Sequence, residues 1–225
     1  EMRVSLCVIC GNERQHIGKL LESFQTSFDE LSLVRAIGSQ QADETVEIAR
    51  KWCEENGKAF VFSEHRNSYG AESWDHVDSF GNARNEAFSQ ATGDWLFWAD
   101  CDDLLDQSAA TVRQTLAQLD AKVSLARFPY DVRGTGKKLH RERAIRSDAF
   151  KAGCKWHNDV HENLLLLPTF KHADFPAPVW IHAPVEIKRA NRVRNLRILS
   201  RSAANASTEY FYIHQEHFCN QNIPQ

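Results

Sequence analysis

One stretch constrains this chain more than any other: Gly93-Asp94-Trp95-Leu96-Phe97-Trp98-Ala99-Asp100-Cys101-Asp102-Asp103. A short, aromatic-rich apolar run from Trp95 to Ala99 follows a Gly-Asp turn signal, the pattern of a buried strand. It stops at three carboxylates in four residues. Carboxylates cannot run on into a dry core without a large desolvation cost, so they must sit where the strand emerges. In an open α/β sheet that carboxyl-end edge is where ligands bind. Acids two apart beside a turn can grip one divalent cation with hard oxygen ligands, and the cation can hold a diphosphate. The competing account is a solvated acidic loop that caps the next helix, with Asp106 or Ser108 as N-cap.

The segments around that edge set the fold class. Val4, Leu6, Val8 and Ile9 mark a first strand over 3–10, closed by Gly11-Asn12-Glu13. Ile17, Leu20, Leu21 and Phe24 recur at helical spacing. Leu31 to Ile37 reads as a second strand, with Gly38-Ser39 as its turn. Asp43 and Thr45 start a helix carrying Val46, Ile48, Ala49 and Trp52, which Gly57 ends. Ala59 to Phe62 is a third strand. This alternation predicts a parallel, doubly wound half. A polar loop over 63–78 and a helix from about Ser79 to Gln90 lead to the acid-tipped strand. Beyond it the pattern predicts a helix over Ser108–Leu119, a strand over Val123–Tyr130, a hairpin over 131–144, a short strand over Val179–His182 and a helix from about Glu186.

Composition excludes some roles. The chain has 225 residues, 42% of them hydrophobic, enough for a real core. A net charge of −3 gives no global field for duplex nucleic acid or an anionic membrane. No run of 18 apolar residues exists, so no membrane span is expected. Without a basic-then-apolar leader, no secretory signal is expected either, and Met2 reads as the native start. The last segment stops without a closing signal, so a longer native chain is expected. Six cysteines are scattered. The Cys7-Val8-Ile9-Cys10 pair invites a zinc or redox reading, but on a strand those positions point to opposite faces. Reduced thiols in a cytoplasmic protein are expected. The hairpin is basic, with Arg133, Lys137, Lys138, Arg141 and Arg143, and Arg146 just beyond. It reads as a charge-protected edge or as a polyanion patch.

In order and spacing these features resemble a glycosyltransferase of the A-type (GT-A), Rossmann-like fold, similar to family 2. The likeness covers most of residues 3–200. It rests on Asn12-Glu13 after the first strand, Gly38-Ser39 with Asp43 to Ala49, and Ala83-Arg84-Asn85 before Gly93-Asp94-Trp95 and the DxD-like Asp100-Cys101-Asp102-Asp103. Trp156 to Glu162 and Arg194-Asn195-Leu196 complete it. The fold it implies is a mostly parallel twisted sheet flanked by helices, with a small mixed hairpin region and a helical C-terminal tail. The catalytic domain would span 1–185, its nucleotide-binding half about 1–105 and its acceptor-side half about 106–185, before a truncated helical segment at 186–225.

The resemblance implies an enzyme that moves a hexose from a nucleotide-diphosphate sugar, with UDP favoured, to a glycan, peptide or nucleic acid, by an inverting path. Mn²⁺ or Mg²⁺ would be held by Asp100, Asp102 and His182, with Asp102 the direct ligand and Asp100 on the ribose or a metal-bound water. Asp103 would do either, or cap. Asn12, Glu13, Ser39, Asp78, Arg84, Asp100 and Trp156 would meet nucleotide or sugar. Glu162 is the first choice of catalytic base and Asp159 the second, with His161 on metal or diphosphate. His157 and His161, four apart, would share a face if their segment were helical. Plainer roles stand beside these: turn chemistry for Asn12 and Glu13, a helix cap for Asp78, a surface ion pair with Glu86 or Asp78 for Arg84, core packing for Trp156, and a structural histidine at 182. Ala36 stands where the family usually has an Asp that reads the nucleotide. Two other classes remain. A nucleotidyltransferase would want a Gly-rich loop after the first strand, which Gly11-Asn12-Glu13-Arg14 is not. A non-catalytic sugar-nucleotide or carbohydrate binding module is favoured by Ala36 and opposed by Asp100, Asp102 and Glu162.

Overall fold

Strand β1 (Val4–Cys10) is buried at every position, because neighbours close both of its edges and both of its faces. The computed structural model describes residues 2–132, 138–182 and 189–202. On one edge β1 pairs in parallel with β2 (Glu30–Arg35), which pairs in parallel with β3 (Ala59–Glu64). On the other it pairs in parallel with β4 (Trp95–Trp98), the acid-tipped strand. Helices α1 (Ile17–Phe24), α2 (Thr45–Glu55) and α3 (Phe80–Gln90) make the crossovers. This is the doubly wound half that the periodicity predicts.

Strand period separates two apolar layers. Val4, Leu6, Val8 and Cys10 face α1 and α2, packing with Leu20, Phe24, Val46 and Ala49. Cys7 and Ile9 face α3, packing with Ala83, Ala87 and Phe88. Cys7 and Cys10 thus lie in opposite layers. The five described cysteines are buried and unbridged.

The other half is mixed. Strand β4 pairs antiparallel with β7 (Lys138–Arg146), and β7 with β6 (Val123–Val132). Strand β6 pairs in parallel with β10 (Lys171–Asp174) and with β11 (Val179–His182), and β11 pairs antiparallel with β5 (Asp103–Asp106). A separate two-stranded ribbon joins β8 (Lys155–His157) and β9 (Asn163–Leu165). Helices α4 (Val112–Ala117), α5 (Ser147–Lys151) and α6 (Arg189–Ser202) complete the element order.

Four local expectations change. The acids do not cap the next helix: Asp103 starts β5, and α4 is capped by Thr111, whose side chain accepts from Gln114 N in a reciprocal capping box. Helix α4 is correspondingly shorter than 108–119. The hairpin is longer than expected, because β6 runs on to Val132 against β7; its turn at 133–137 lies outside the described residues. The segment 155–162 is not helical. It is strand β8 followed by a turn with Asn158 and His161 at positive φ, 70° and 56°, so His157 and His161 share no helix face. The expected helical tail beyond residue 202 lies outside the described residues. No helix among the described residues is long and apolar enough to cross a membrane.

Candidate active site

Two buried arginines flank the Trp98 ring at the end of β4, each with its guanidinium carbon 4.0 Å from the ring centroid: Arg84 from α3 and Arg143 from β7. Each serves a different acid of the Asp100–Asp103 turn. Arg84 donates from Nη2 to Asp100 Oδ1 at 2.6 Å and from Nε to Glu162 Oε1 at 2.6 Å. It is 4% exposed, so it is not the surface ion pair of the plainer reading. Burial works against its charge, but Asp100 and Glu162 outweigh that and hold it firmly protonated. Burial likewise pushes the Asp100 carboxyl up, and the charge and hydrogen bond of Arg84 outweigh it, so the net shift is down.

The approach of Glu162 depends on α3. Gly81 lies in its first turn, and a Cβ there would collide with the carbonyl oxygen of Asn158. The Phe80 N–H donates to Asp159 O at 2.9 Å, and Asn85 bonds Trp156 through both its N–H and its C=O, at 3.0 and 2.9 Å. These contacts draw the 155–162 segment onto α3. The Glu162 side chain is 14% exposed, and Oε2 accepts no hydrogen bond among the described residues.

The second acid group lies where β5 meets β11. Register places His182 opposite Asp103. His182 Nδ1 is 3.2 Å from Asp103 Oδ1 and 3.5 Å from Asp102 Oδ1. One ligand atom from each of Asp102, Asp103 and His182 falls within 4.8 Å of the others. Burial pushes the Asp102 carboxyl up to about 6, with Asp100 and Asp103 adding to it and His182 opposing. His182 is raised in turn, first by its hydrogen bond with Asp103 and against burial. A crowd of acids that disfavours its own negative charge, with one imidazole beside it, suits a divalent cation. Asp100 stands apart from this trio, on Arg84.

The other expected site residues divide. Asn12 and Glu13 join the end of β1 to the next crossover: Asn12 Nδ2 donates to Gln41 O and its Oδ1 accepts from Asp43 N, both at 3.0 Å, while Glu13 N donates to Thr45 Oγ1 at 2.7 Å. Ser39 N donates to Trp74 O at 2.8 Å. Gly38 beside it takes φ +60°, where a side chain would also strike the Trp74 carbonyl. Asp78 does not cap α3; Ser79 does, accepting from Asn82 N at 3.1 Å. Asp78 is buried and accepts from His65, from Ser68 and from Arg201 of α6. Burial raises its carboxyl, but those hydrogen bonds outweigh it and the net shift is well below the usual range. Asp159 accepts from Ser202. Trp156 is 3% exposed and packs edge-on to Trp98 and Phe88. The structure places its ring in the core beneath Arg84, whose guanidinium carbon is 5.4 Å away.

Three residues escape the sequence reading. Arg143 counted only as hairpin charge, yet it opens the buried run Arg143-Ala144-Ile145. Arg146 is likewise engaged, donating from Nε to Val123 O at 2.8 Å, so the polyanion patch loses two of its charges. His65 bridges Asp78 and Glu86 at 2.9 and 2.7 Å and carried no pattern that marks it.

Residues 5–165 match the family model described as Glycosyl transferase family 2. A TPR repeat-containing protein of Synechococcus elongatus is 30% identical over 195 residues, which is 80% of this chain and 42% of that protein. The chain therefore spans under half of that relative's length. Staphylococcus aureus TarS 1–349 in complex with UDP-GlcNAc superposes with a TM-score of 0.58 at 15% identity, covering 98% of this chain and 72% of that one. The mannosyltransferase PcManGT from Pyrobaculum calidifontis, in complex with GDP-Man and Mn²⁺, gives 0.56 at 17%, covering 96% and 69%. Glucosyl-3-phosphoglycerate synthase from Mycobacterium tuberculosis, with Mn²⁺, UDP-Glc and phosphoglyceric acid, gives 0.54 at 15%, covering 92% and 82%. At these identities the structures share the fold with this chain.

Proposed function

Because the chain belongs to glycosyl transferase family 2, we propose that it is a metal-dependent, inverting glycosyltransferase that moves a sugar from a nucleotide-diphosphate sugar to an acceptor hydroxyl. One observation carries this reading: Arg84 holds Asp100 of the acid-tipped strand and Glu162 of the acceptor-side segment in a single buried clamp. Donor-side acid and candidate base therefore belong to one site.

Glu162 is the base. Its Oε1 is held by Arg84, which fixes the carboxylate's orientation, and Oε2 remains to take the acceptor proton as the hydroxyl attacks. Arg84, with Asp100, orients the donor from the opposite side. Asp102 and His182, with Asp103 packed against the histidine, would be the residues to hold Mn²⁺ or Mg²⁺. Such an ion, when bound, offsets the negative charge of the departing diphosphate as a Lewis acid. Asn12, Glu13 and Ser39 border the nucleotide side at the ends of β1 and β2. UDP is the favoured carrier, as in the TarS and glucosyl-3-phosphoglycerate synthase complexes. Position 36, where Ala36 N donates to Cys10 O at 2.8 Å, lies on that rim without a carboxylate. The acceptor is a glycan, peptide or nucleic acid.

The deciding experiment is calorimetric titration of UDP, GDP, CDP, ADP and dTDP, with and without Mn²⁺, into wild type and Asp102→Asn. Binding of one nucleotide that requires Mn²⁺ and fails in Asp102→Asn is expected. No binding across the panel would favour the second reading in its carbohydrate-binding form, a non-catalytic module, for which Ala36 speaks. Absence of metal-dependent donor hydrolysis would point the same way.

A further inference from the structure

Beneath the metal-side acids lies an arginine that the reaction above does not use. Arg143 is 1% exposed. Its guanidinium carbon is 4.0 Å from the Trp98 ring centroid and 4.6 Å from that of Tyr130. Within that aromatic pocket Nη1 donates to Asp103 Oδ2 at 3.3 Å. The same oxygen accepts from Asp100 N at 3.0 Å. Oδ2 is thus occupied by two donors, and Oδ1 is turned toward His182 Nδ1 at 3.2 Å.

The two neighbouring acids differ in access. The Asp103 side chain is 0% exposed, whereas those of Asp102 and His182 are 31% and 23% exposed. A carboxylate sealed from solvent, with one oxygen tied to backbone and guanidinium, is placed to orient a ligand. An imidazole that donates one ring N–H to a carboxylate presents its other nitrogen to a metal. We propose that Arg143 and Asp103 are positioning residues for the cation site. Arg143 fixes Asp103, and Asp103, accepting from His182 Nδ1–H, holds the imidazole beside Asp102, the pair that would take the ion. The inference rests on the metal-dependent reading above. It also separates two acids that sequence spacing treats alike, giving Asp102 the ion and Asp103 the histidine.

The arginine is specific to this role. A planar guanidinium can lie against the Trp98 and Tyr130 rings while donating in its own plane to Asp103; a lysine ammonium can do one of these well.

The test reads Mn²⁺ affinity in the presence of UDP, from loss of the free-ion paramagnetic resonance signal, and needs no turnover. Variants are Arg143→Met, Arg143→Lys and Asp103→Asn, each alone and combined with His182→Ala. Circular dichroism identifies any variant that fails to fold; Arg143→Lys and Asp103→Asn preserve size and polarity and carry the test if Arg143→Met does not. The expected result is a loss of about 10- to 100-fold for Arg143→Met and Asp103→Asn, a smaller loss for Arg143→Lys, and changes within about twofold for all three once His182 is gone. Wild-type affinity in the folded variants would overturn the inference. So would equal losses with and without His182, which would make Asp103 a ligand in its own right. Failure of wild type to take up Mn²⁺ would overturn the metal reading itself, a distinguishable outcome.

Discussion

Arg84 Nε donates to Glu162 Oε1 at 2.6 Å across 78 residues of chain. The contact is possible because α3 and the turn after β8 are pressed together at Gly81 and Asn158. It makes Arg84 both a structural cation for two carboxylates and the element that holds the proposed base. Removing it leaves Asp100 and Glu162 facing each other without a counter-charge. Arg84→Met is expected to cost about 3–5 kcal/mol of stability, measured by urea unfolding. Arg84→Lys keeps charge but loses the two-directional donation and the stack on Trp98, so it should recover stability more than activity.

Glu162→Gln preserves shape and the hydrogen bond from Arg84 but cannot accept a proton. It is expected to lower kcat by about 10²- to 10⁴-fold while leaving donor affinity near wild type. Steady-state kinetics beside a donor titration would check the split. An equal loss of donor affinity would move Glu162 from the acceptor side to the donor side.

Cation binding should depend on pH through Asp102 and His182. A carboxyl pushed up to about 6 by burial and neighbouring acids, and a histidine raised by Asp103, both hold protons that the ion must displace. Mn²⁺ affinity is therefore expected to fall steeply below pH 6. The sign for the metal-free protein is the opposite. A carboxyl whose folded value lies above its unfolded value contributes stability at low pH and loses it as pH rises through 6. Mn²⁺ should accordingly raise Tm more at pH 7.5 than at pH 5, as thermal melts at the two values would show.

Asp78 behaves oppositely. Burial opposes its charge, but Ser68, His65 and Arg201 outweigh it and hold the carboxyl below its ordinary 3.8. Its contribution is present above the unfolded value and lost as pH falls through the folded one. Asp78→Asn is expected to cost about 3 kcal/mol at neutral pH and to flatten the loss of stability between about pH 4 and pH 2. Because Arg201 reaches Asp78 from α6 at 3.0 Å, Arg201→Ala should also speed hydrogen exchange in that helix.

The parallel half was readable because its signals are local. Strand alternation placed Cys7 and Cys10 in opposite layers, and helical spacing marked Ile17, Leu20, Leu21 and Phe24 as a buried face. The acid turn was readable because a buried run cannot continue into carboxylates. Strand β5 was not, since Asp103-Leu104-Leu105-Asp106 carries acids at both ends and no β-branched residue; only its partner β11, far along the chain, makes it a strand. The cap of α4 was available in Thr111 and Gln114, whose spacing is a capping box, and Ser108 drew attention from it. Arg143 and His65 are set by tertiary partners alone. A buried arginine needs aromatic walls and a carboxylate from other elements, and no window of sequence contains them.

The pairing of β5 with β11 has a kinetic consequence. Asp103 and His182 are 79 residues apart, and β11 bridges β5 and β6, so their contact is expected to form after the local β6–β7 hairpin. Closing so long a loop is an entropic cost that local hairpins and crossovers do not share. The Asp102–Asp103–His182 cluster is thus expected to assemble among the last parts of the fold. A partly folded chain would present acids at Asp100–Asp103 without the histidine that completes the set, and ion uptake would report arrival at the native state.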